Sequence, residues 1–340
     1  MRKILFFALP LLLFSCTQKQ GEYKLVWEDN FDAPELNAAY WNVDDNARGG
    51  GNAELQYYAP KNVTIERHPV SGESCLVLNA QREDYYYTTA DGNQGYRPAT
   101  SGRLNTQDKV TVEYGKIEAR IAFPYTADGL WPAFWMLGNN LATDLGDSDD
   151  IDKRVAELEK QGRVVWPKCG EIDICEMGHS NGIEAGTQDR YFNGACHWGE
   201  SWNNGAYPNT GKFHTWDYSV QGDFHLFTLI WTEDSLAMYL DLDKREKTVS
   251  LKEKSPFPDA KPYFELSLRQ KGINEPGHYF NHPFYLVLNL SVGGFFPGMP
   301  NPEKYSDVIS KDLLAPVTAL PEDGTPVKMY VDYIKVFSRK

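Results

Sequence analysis

Lys116-Ile117-Glu118-Ala119-Arg120-Ile121-Ala122-Phe123 alternates without a break, with Ile117, Ala119, Ile121 and Phe123 on one face. A period of two over eight residues marks a strand with one buried side. Outward from it the same signature recurs. Phe227-Thr228-Leu229-Ile230-Trp231 and Leu236-Ala237-Met238-Tyr239-Leu240 flank a turn at Thr232–Ser235 and read as a hairpin. Phe284-Tyr285-Leu286-Val287-Leu288-Asn289-Leu290 reads as a buried strand with one polar residue, and Met329–Phe337 as a last strand. Gly and Pro punctuate these runs. Many short strands separated by turns indicate an all-β, two-sheet sandwich. One segment breaks the pattern. Ile151, Val155 and Leu158 recur at helical spacing, which predicts a helix over Asp149–Arg163 capped by Ser148. This short inserted helix either walls one end of a cleft or decorates the surface.

The 340-residue chain opens with a basic tip, Arg2 and Lys3, and a short apolar run through Phe14. That run is too short for a permanent membrane span and reads as a signal peptide over residues 1–15. Leu13-Phe14-Ser15-Cys16 resembles a bacterial lipobox, so Cys16 is the expected lipidated residue. Residues 16–22 form a short tether, and 23–340 carry no low-complexity linker and no repeat, which predicts a single catalytic-size domain. A lipid at Cys16 would hold that domain to the bacterial cell envelope without a transmembrane helix. The formal charge is −13. This balance disfavours nucleic acid and anionic polymers and suits a neutral ligand such as a glycan. The expected assembly is a monomer.

Beyond Cys16, the cysteines are Cys75, Cys169, Cys175 and Cys196, without zinc-site spacing. An exported chain could pair some of them. Cys175 has no adjacent base and reads as a buried thiol. The seven His are scattered and form no HExxH pattern.

Glu171-Ile172-Asp173-Ile174-Cys175-Glu176 places three carboxylates in an otherwise apolar run. Glu171 and Asp173 share one face of a strand. Glu176, five residues from Glu171, would point the other way in a regular strand. One β-bulge restores the parity and lines all three acids along one surface. Glycosidases of the retaining type need two carboxyl groups about 5–5.5 Å apart. A solvated acidic edge strand accounts for the same alternation. Gly129-Leu130-Trp131-Pro132-Ala133-Phe134-Trp135-Met136-Leu137-Gly138 adds an aromatic platform. Trp131 and Trp135 share a face and offer flat rings to sugars, whereas Phe134, out of phase, belongs to the core.

Together these two segments resemble glycoside hydrolase family 16, in its bulged branch. Further matches run in order along 23–340: Leu25-Val26-Trp27, Glu54-Leu55-Gln56-Tyr57-Tyr58, Ser101-Gly102-Arg103, Tyr114–Arg120, Phe284–Gly294 and Val331-Asp332-Tyr333. The resemblance is closest to bacterial endo-β-1,3-glucanases and implies a concanavalin A-like β-jelly-roll sandwich with a concave, open-ended cleft. It implies Glu171 as nucleophile, Glu176 as acid/base and Asp173 as the supporting carboxylate. Trp131 and Trp135 match the family's sugar-stacking residues, and Arg103 and Glu54 sit in segments that contact sugar hydroxyls. Asn289 either reaches the cleft floor or is a satisfied core amide. His197, on the strand expected beside the acidic one, either orients an acid or binds sugar as a neutral imidazole, or is structural. No cofactor is needed for this chemistry. The family's structural calcium would use Asp332, but Asn30 stands where its Glu ligand is expected. The expected activity is retaining endo-hydrolysis of β-1,3-glucan, with mixed β-1,3/1,4-glucan as a further substrate. The alternatives are a strict mixed-linkage glucanase, an agarase-type hydrolase, and a non-catalytic glycan-binding lipoprotein.

Overall fold

The computed structural model describes residues 23–47, 51–125, 128–142, 151–202, 205–242, 261–273, 278–304 and 306–339. The strands in chain order are β1 (Tyr23–Asp29), β2 (Asn42–Val43), β3 (Gln56–Tyr58), β4 (Val63–Arg67), β5 (Ser74–Thr88), β6 (Gln94–Ser101), β7 (Arg103–Asn105), β8 (Thr111–Val112) and β9 (Gly115–Ala122). They continue as β10 (Leu130–Gly138), β11 (Glu171–Met177), β12 (Tyr191–His197), β13 (Asn209–Thr215), β14 (His225–Trp231), β15 (Ser235–Leu240), β16 (Phe264–Ser267), β17 (Phe284–Val292) and β18 (Val327–Arg339). Among the described residues two α-helices interrupt them, α1 (Ile151–Lys160) and α2 (Ser180–Glu184).

Among the described residues the strands form two sheets. The outer sheet runs β16-β15-β14-β9-β18-β5-β6-β3, with β1 on β18 and β4 on β5. The inner sheet runs β13-β12-β11-β10-β17-β7-β2, with β8 on β17. The expected hairpin is β14–β15, and the alternating segment is β9, paired to β14 and β18. Ile117, Ala119 and Ile121 of β9 pack into one apolar core with Phe134, Ile172, Met177, Leu288 and Leu290 of the inner sheet. Burying such side chains, at about 1.5–3 kcal/mol each, is what drives the sheets together. Phe134 is fully buried, as its phase required.

The helical insert is shorter than its periodicity predicts. Gly162 adopts φ +75°, and the Arg163 N–H donates back to the Leu158 carbonyl at 2.9 Å. That left-handed glycine closes the last turn and ends the helix at Lys160. Ser148, the expected cap, lies outside the described residues, as do Cys16 and the tether. None of the described α1 residues faces the cleft; the returning arm does, through Trp166.

Candidate active site

Strand β11 is fixed at both ends by glycines that no other residue can replace. Gly170 has φ +75°, and a Cβ there would lie 2.4 Å from the Tyr279 carbonyl. Gly178 has φ +95°, and its Cβ would meet the Leu130 carbonyl at 1.9 Å. Between them the ladder slips. Phe134 pairs with Cys175 but Trp135 pairs with Asp173, so Ile174 is skipped. On the other side the register shifts between Asp173 and Glu176. Ile174 and Cys175 both turn into the core, and Glu171, Asp173 and Glu176 all line a cleft of about 900 Å³. The bulge expected from carboxylate parity is therefore present.

The cleft is organised in rows across the inner sheet. Residues directly opposite on neighbouring strands point to the same side. One row reads Arg103, Asn289, Ala133, Glu176, Asn193, Phe213, from β7 across to β13. Glu176 stands within that row, beside the small Ala133, which leaves room above the sheet. A second row sets Leu137, Glu171, His197 and Asn209 side by side.

Each catalytic candidate has its own donors. Trp166 Nε1 donates to Glu171 Oε2 at 2.8 Å. Trp131 Nε1 donates to Glu176 Oε1 at 3.1 Å, and Asn193 Nδ2 to Oε2 at 2.9 Å. Trp135 Nε1 donates to Asn289 Oδ1 at 2.7 Å, and Asn289 Nδ2 to Ser291 Oγ at 2.9 Å. Asn289 is thus both a satisfied amide and part of the cleft floor. Glu54 is buried in the cleft and accepts from Gln56 Nε2 at 2.6 Å and from Tyr58 OH at 3.0 Å. Arg103 pairs with Asp44 at 3.2 Å and lies 5.1 Å from the Trp135 ring centre.

The acids are governed by burial and by two basic side chains, His197 and Arg103. Burial raises the Glu171 carboxyl above the usual range, opposed by the His197 charge, the Trp166 hydrogen bond and the Arg103 charge. Glu176 is raised by burial and by the negative charge of Glu171, against the Asn193 and Trp131 hydrogen bonds and the His197 charge. Asp173 is raised well above its ordinary value by burial and then by both glutamates. Three carboxyls this close oppose one another's ionisation, which separates the steps in which they lose their protons. His197 Nε2 lies 3.2 Å from Asp173 Oδ2 and 3.9 Å from Glu171 Oε1. Burial works against its charge, but the hydrogen bond and charge of Asp173, with the two glutamates, push it up to about 9. Against the expectation of a neutral imidazole, the neighbouring acids favour the charged form of His197.

Asp332 accepts from Arg120 Nη1 at 2.6 Å, and Glu73 Oε2 lies 3.2 Å from the same nitrogen. A guanidinium already neutralises the carboxylate expected to ligate calcium, so the residues present do not fit that ion. Cys75, Cys169, Cys175 and Cys196 are all free and buried, with no disulfide among them. Burial raises the Cys175 thiol well above its usual value, with a further push from Glu176. The sequence reading missed Trp166, Asn193, Tyr207, Phe213 and Phe296 in the cleft. Trp166 could have been found from its position five residues before Glu171, an odd offset that becomes useful only because the chain turns at Pro167. Phe296 follows Gly293-Gly294, in a loop whose path no periodicity encodes.

The profile of the glycosyl hydrolases family 16 matches residues 57–271, more than half of the chain. The chain belongs to glycosyl hydrolase family 16. This family 16 protein is 32% identical over 90% of its length to a glucan endo-1,3-beta-glucosidase of Cryptopygus antarcticus, covering 94% of that protein. It is 27% identical to glucan endo-1,3-beta-glucosidase A1 of Niallia circulans, over 93% of this chain but 38% of that one. The chain thus spans well under half the length of that relative. A solved Bacteroides ovatus mixed linkage glucan PUL GH16 structure, in complex with a G4G4G3G product, is 28% identical with a TM-score of 0.63, covering 91% of this chain and 99% of that one. The jelly-roll architecture is shared with that structure.

Proposed function

We propose that this family 16 protein is a retaining endo-glycosidase that cleaves β-1,3-glucan, with mixed β-1,3/1,4-glucan as a further substrate. The observation that carries the reading is the pair Glu171 and Glu176, brought to one face by the Ile174 bulge and each held by an indole N–H. A glucan lying across the strands would cross the row from Arg103 to Phe213 with its scissile oxygen above Glu176. Glu176 donates its proton to that oxygen while the Glu171 carboxylate attacks the anomeric carbon and forms a glycosyl ester. Water then attacks the same carbon, Glu176 takes its proton, and the ester bond returns its electrons to Glu171. Two displacements preserve the anomeric configuration. Asp173 and His197 hold Glu171 in place and keep it ionised.

The likeness to two glucan endo-1,3-beta-glucosidases supports the β-1,3 linkage, and the product complex of the Bacteroides protein supports mixed linkage as the second substrate. The cations Arg103 and His197 are each matched by a carboxylate, which suits a neutral glucan better than a sulfated galactan. The lipobox-like segment ending at Cys16 supports attachment to the cell envelope, with the monomeric domain facing its polysaccharide; mass spectrometry of the mature amino terminus tests it. For the activity, proton NMR of laminarin digests is the test. The β-anomer is expected first from the wild type and no turnover above background from Glu171→Gln. Equal rates for the two proteins would end the assignment.

A further inference from the structure

We propose that Phe213, backed by Tyr191 and flanked by Phe296 and His179, is the platform for the leaving glucosyl units, and that it also receives a glucan acceptor in the second step. This rests on the glucanase reading above and adds a direction to the cleft.

Phe213 ends the row that contains Glu176. It stands two strands beyond β11, roughly 10 Å across the sheet at the usual inter-strand spacing. Tyr191 stacks on it at 5.3 Å and 16°, yet Phe213 keeps 40% of its surface exposed. An exposed ring on an edge strand, supported from one side and opening into a cleft, is positioned to receive the apolar face of a sugar. Phe296 continues the surface toward the acid/base. It stacks on Trp131 at 4.7 Å and 8°, and Trp131 in turn donates to Glu176. His179 lies edge-on to both phenylalanines, at 4.6 Å from Phe213 and 4.8 Å from Phe296. Its Nδ1 accepts from the Asn181 N–H at 3.0 Å, and burial lowers its pKa. A neutral ring that accepts at Nδ1 must carry its proton on Nε2. That N–H is a polar handle for a sugar hydroxyl beside two rings.

The opposite end of the row is built differently. Asn289 and Glu54 offer buried, hydrogen-bonded polar groups, and Arg103 is held beside them by its ion pair with Asp44. The sugars that stay covalently attached must be held through both displacements, which suits such fixed groups. The leaving sugars must depart and be replaced, which suits a ring platform with one polar handle. In the second step an acceptor hydroxyl oxygen attacks the anomeric carbon of the Glu171 ester. The carbon–oxygen bond to Glu171 breaks, its electron pair returns to the carboxylate, and the hydroxyl proton passes to Glu176. An acceptor seated on Phe213 competes with water for that step.

The test compares laminaripentaose, which has leaving sugars, with a nitrophenyl β-laminaribioside, which has none. Phe213→Ala should lower kcat/KM on the pentasaccharide about three- to tenfold more than on the aryl glycoside, the range expected for one lost aromatic contact. With laminaribiose added as acceptor, the ratio of transfer to hydrolysis should fall in the same variant. Phe213→Tyr keeps the ring and should restore both readouts, which separates a lost platform from a damaged fold. Equal losses on the two substrates, no loss on either, or failure of Phe213→Tyr to restore the split would overturn the proposal. Wild-type protein that turns over neither substrate would instead remove the glucanase reading, and the platform with it.

Discussion

Replacing His197 by Gln removes the imidazole that lies against Asp173 and Glu171, and its consequence can be worked from the geometry. The imidazole sits 3.2 Å from Asp173 and 3.9 Å from Glu171, and its pKa rises from 6.5 to about 9. At about 1.4 kcal/mol per pH unit that rise is worth roughly 3 kcal/mol. The side chain is 23% exposed, so screening takes a share and about 2 kcal/mol is the expected contribution. The sign follows from linkage. The folded protein holds this proton more tightly than the unfolded chain does. The contribution is therefore complete below the unfolded pKa, near 6.5, and is lost as pH rises through about 9. Urea unfolding of wild type and His197→Gln near pH 6, 7.5 and 9.5 should show a stability gap of about 2 kcal/mol at the lowest pH that narrows toward the highest. The same substitution removes a charge that favours ionised Glu171, so the acid limb of kcat/KM should move to higher pH. A gap that stays constant with pH, together with an unmoved acid limb, would refute a charged His197.

Other substitutions probe the same frame. Trp166→Phe deletes the donor to Glu171 Oε2; a lost hydrogen bond to a charged group should reduce kcat/KM on laminarin about 10- to 100-fold with little change in Tm. Glu176→Gln should slow laminarin hydrolysis by about 10²–10⁴, and slow a nitrophenyl glycoside less because that leaving group needs no proton. In the wild type the alkaline limb of the rate profile should lie above the range of an ordinary glutamate, since burial and Glu171 raise Glu176 and activity is lost as pH climbs through that raised value. Tyr263→Phe removes the hydroxyl that donates to the Ile174 carbonyl. Stranding that buried carbonyl should cost about 1–3 kcal/mol in urea unfolding, and a kcat loss beyond the stability loss would show that the bulge had relaxed.

The architecture was legible because sheet burial is a period-two phenomenon. Ile117, Ala119 and Ile121 declare a half-buried strand, and the unbroken run from Phe284 to Leu290 declares a covered one. The helix was legible in kind but overran its end, since its last apolar position is Leu158 and Gly162 then turns the backbone left-handed. The carboxylate trio was legible because only a bulge reconciles the offset of Glu176 with that of Asp173. The partners were not. Asn193 and Trp166 reach the acids, and Phe296 reaches Trp131, through cross-strand register and returning loops, and neither leaves a local pattern. The upward shift of His197 was equally out of reach, because it depends on acids that lie on the neighbouring strand.

The bulge couples the fold to the chemistry in both directions. A regular β11 would send Glu176 into the apolar core, where an unpaired carboxyl costs several kcal/mol. Inserting Ile174 avoids that cost by turning Ile174 and Cys175 inward together, but it frees one backbone carbonyl from the ladder. Tyr263, itself 2% exposed and carried just ahead of β16 on the opposite sheet, donates to that carbonyl. The outer sheet therefore satisfies a defect that only the cleft needs. A structural strand has no reason to keep such a defect, since a regular ladder with an apolar residue in place of Glu176 would pair every backbone group. The arrangement makes sense where two carboxyls must share one side of one strand, and this is the physical reason for reading β11 as catalytic and not as an acidic edge.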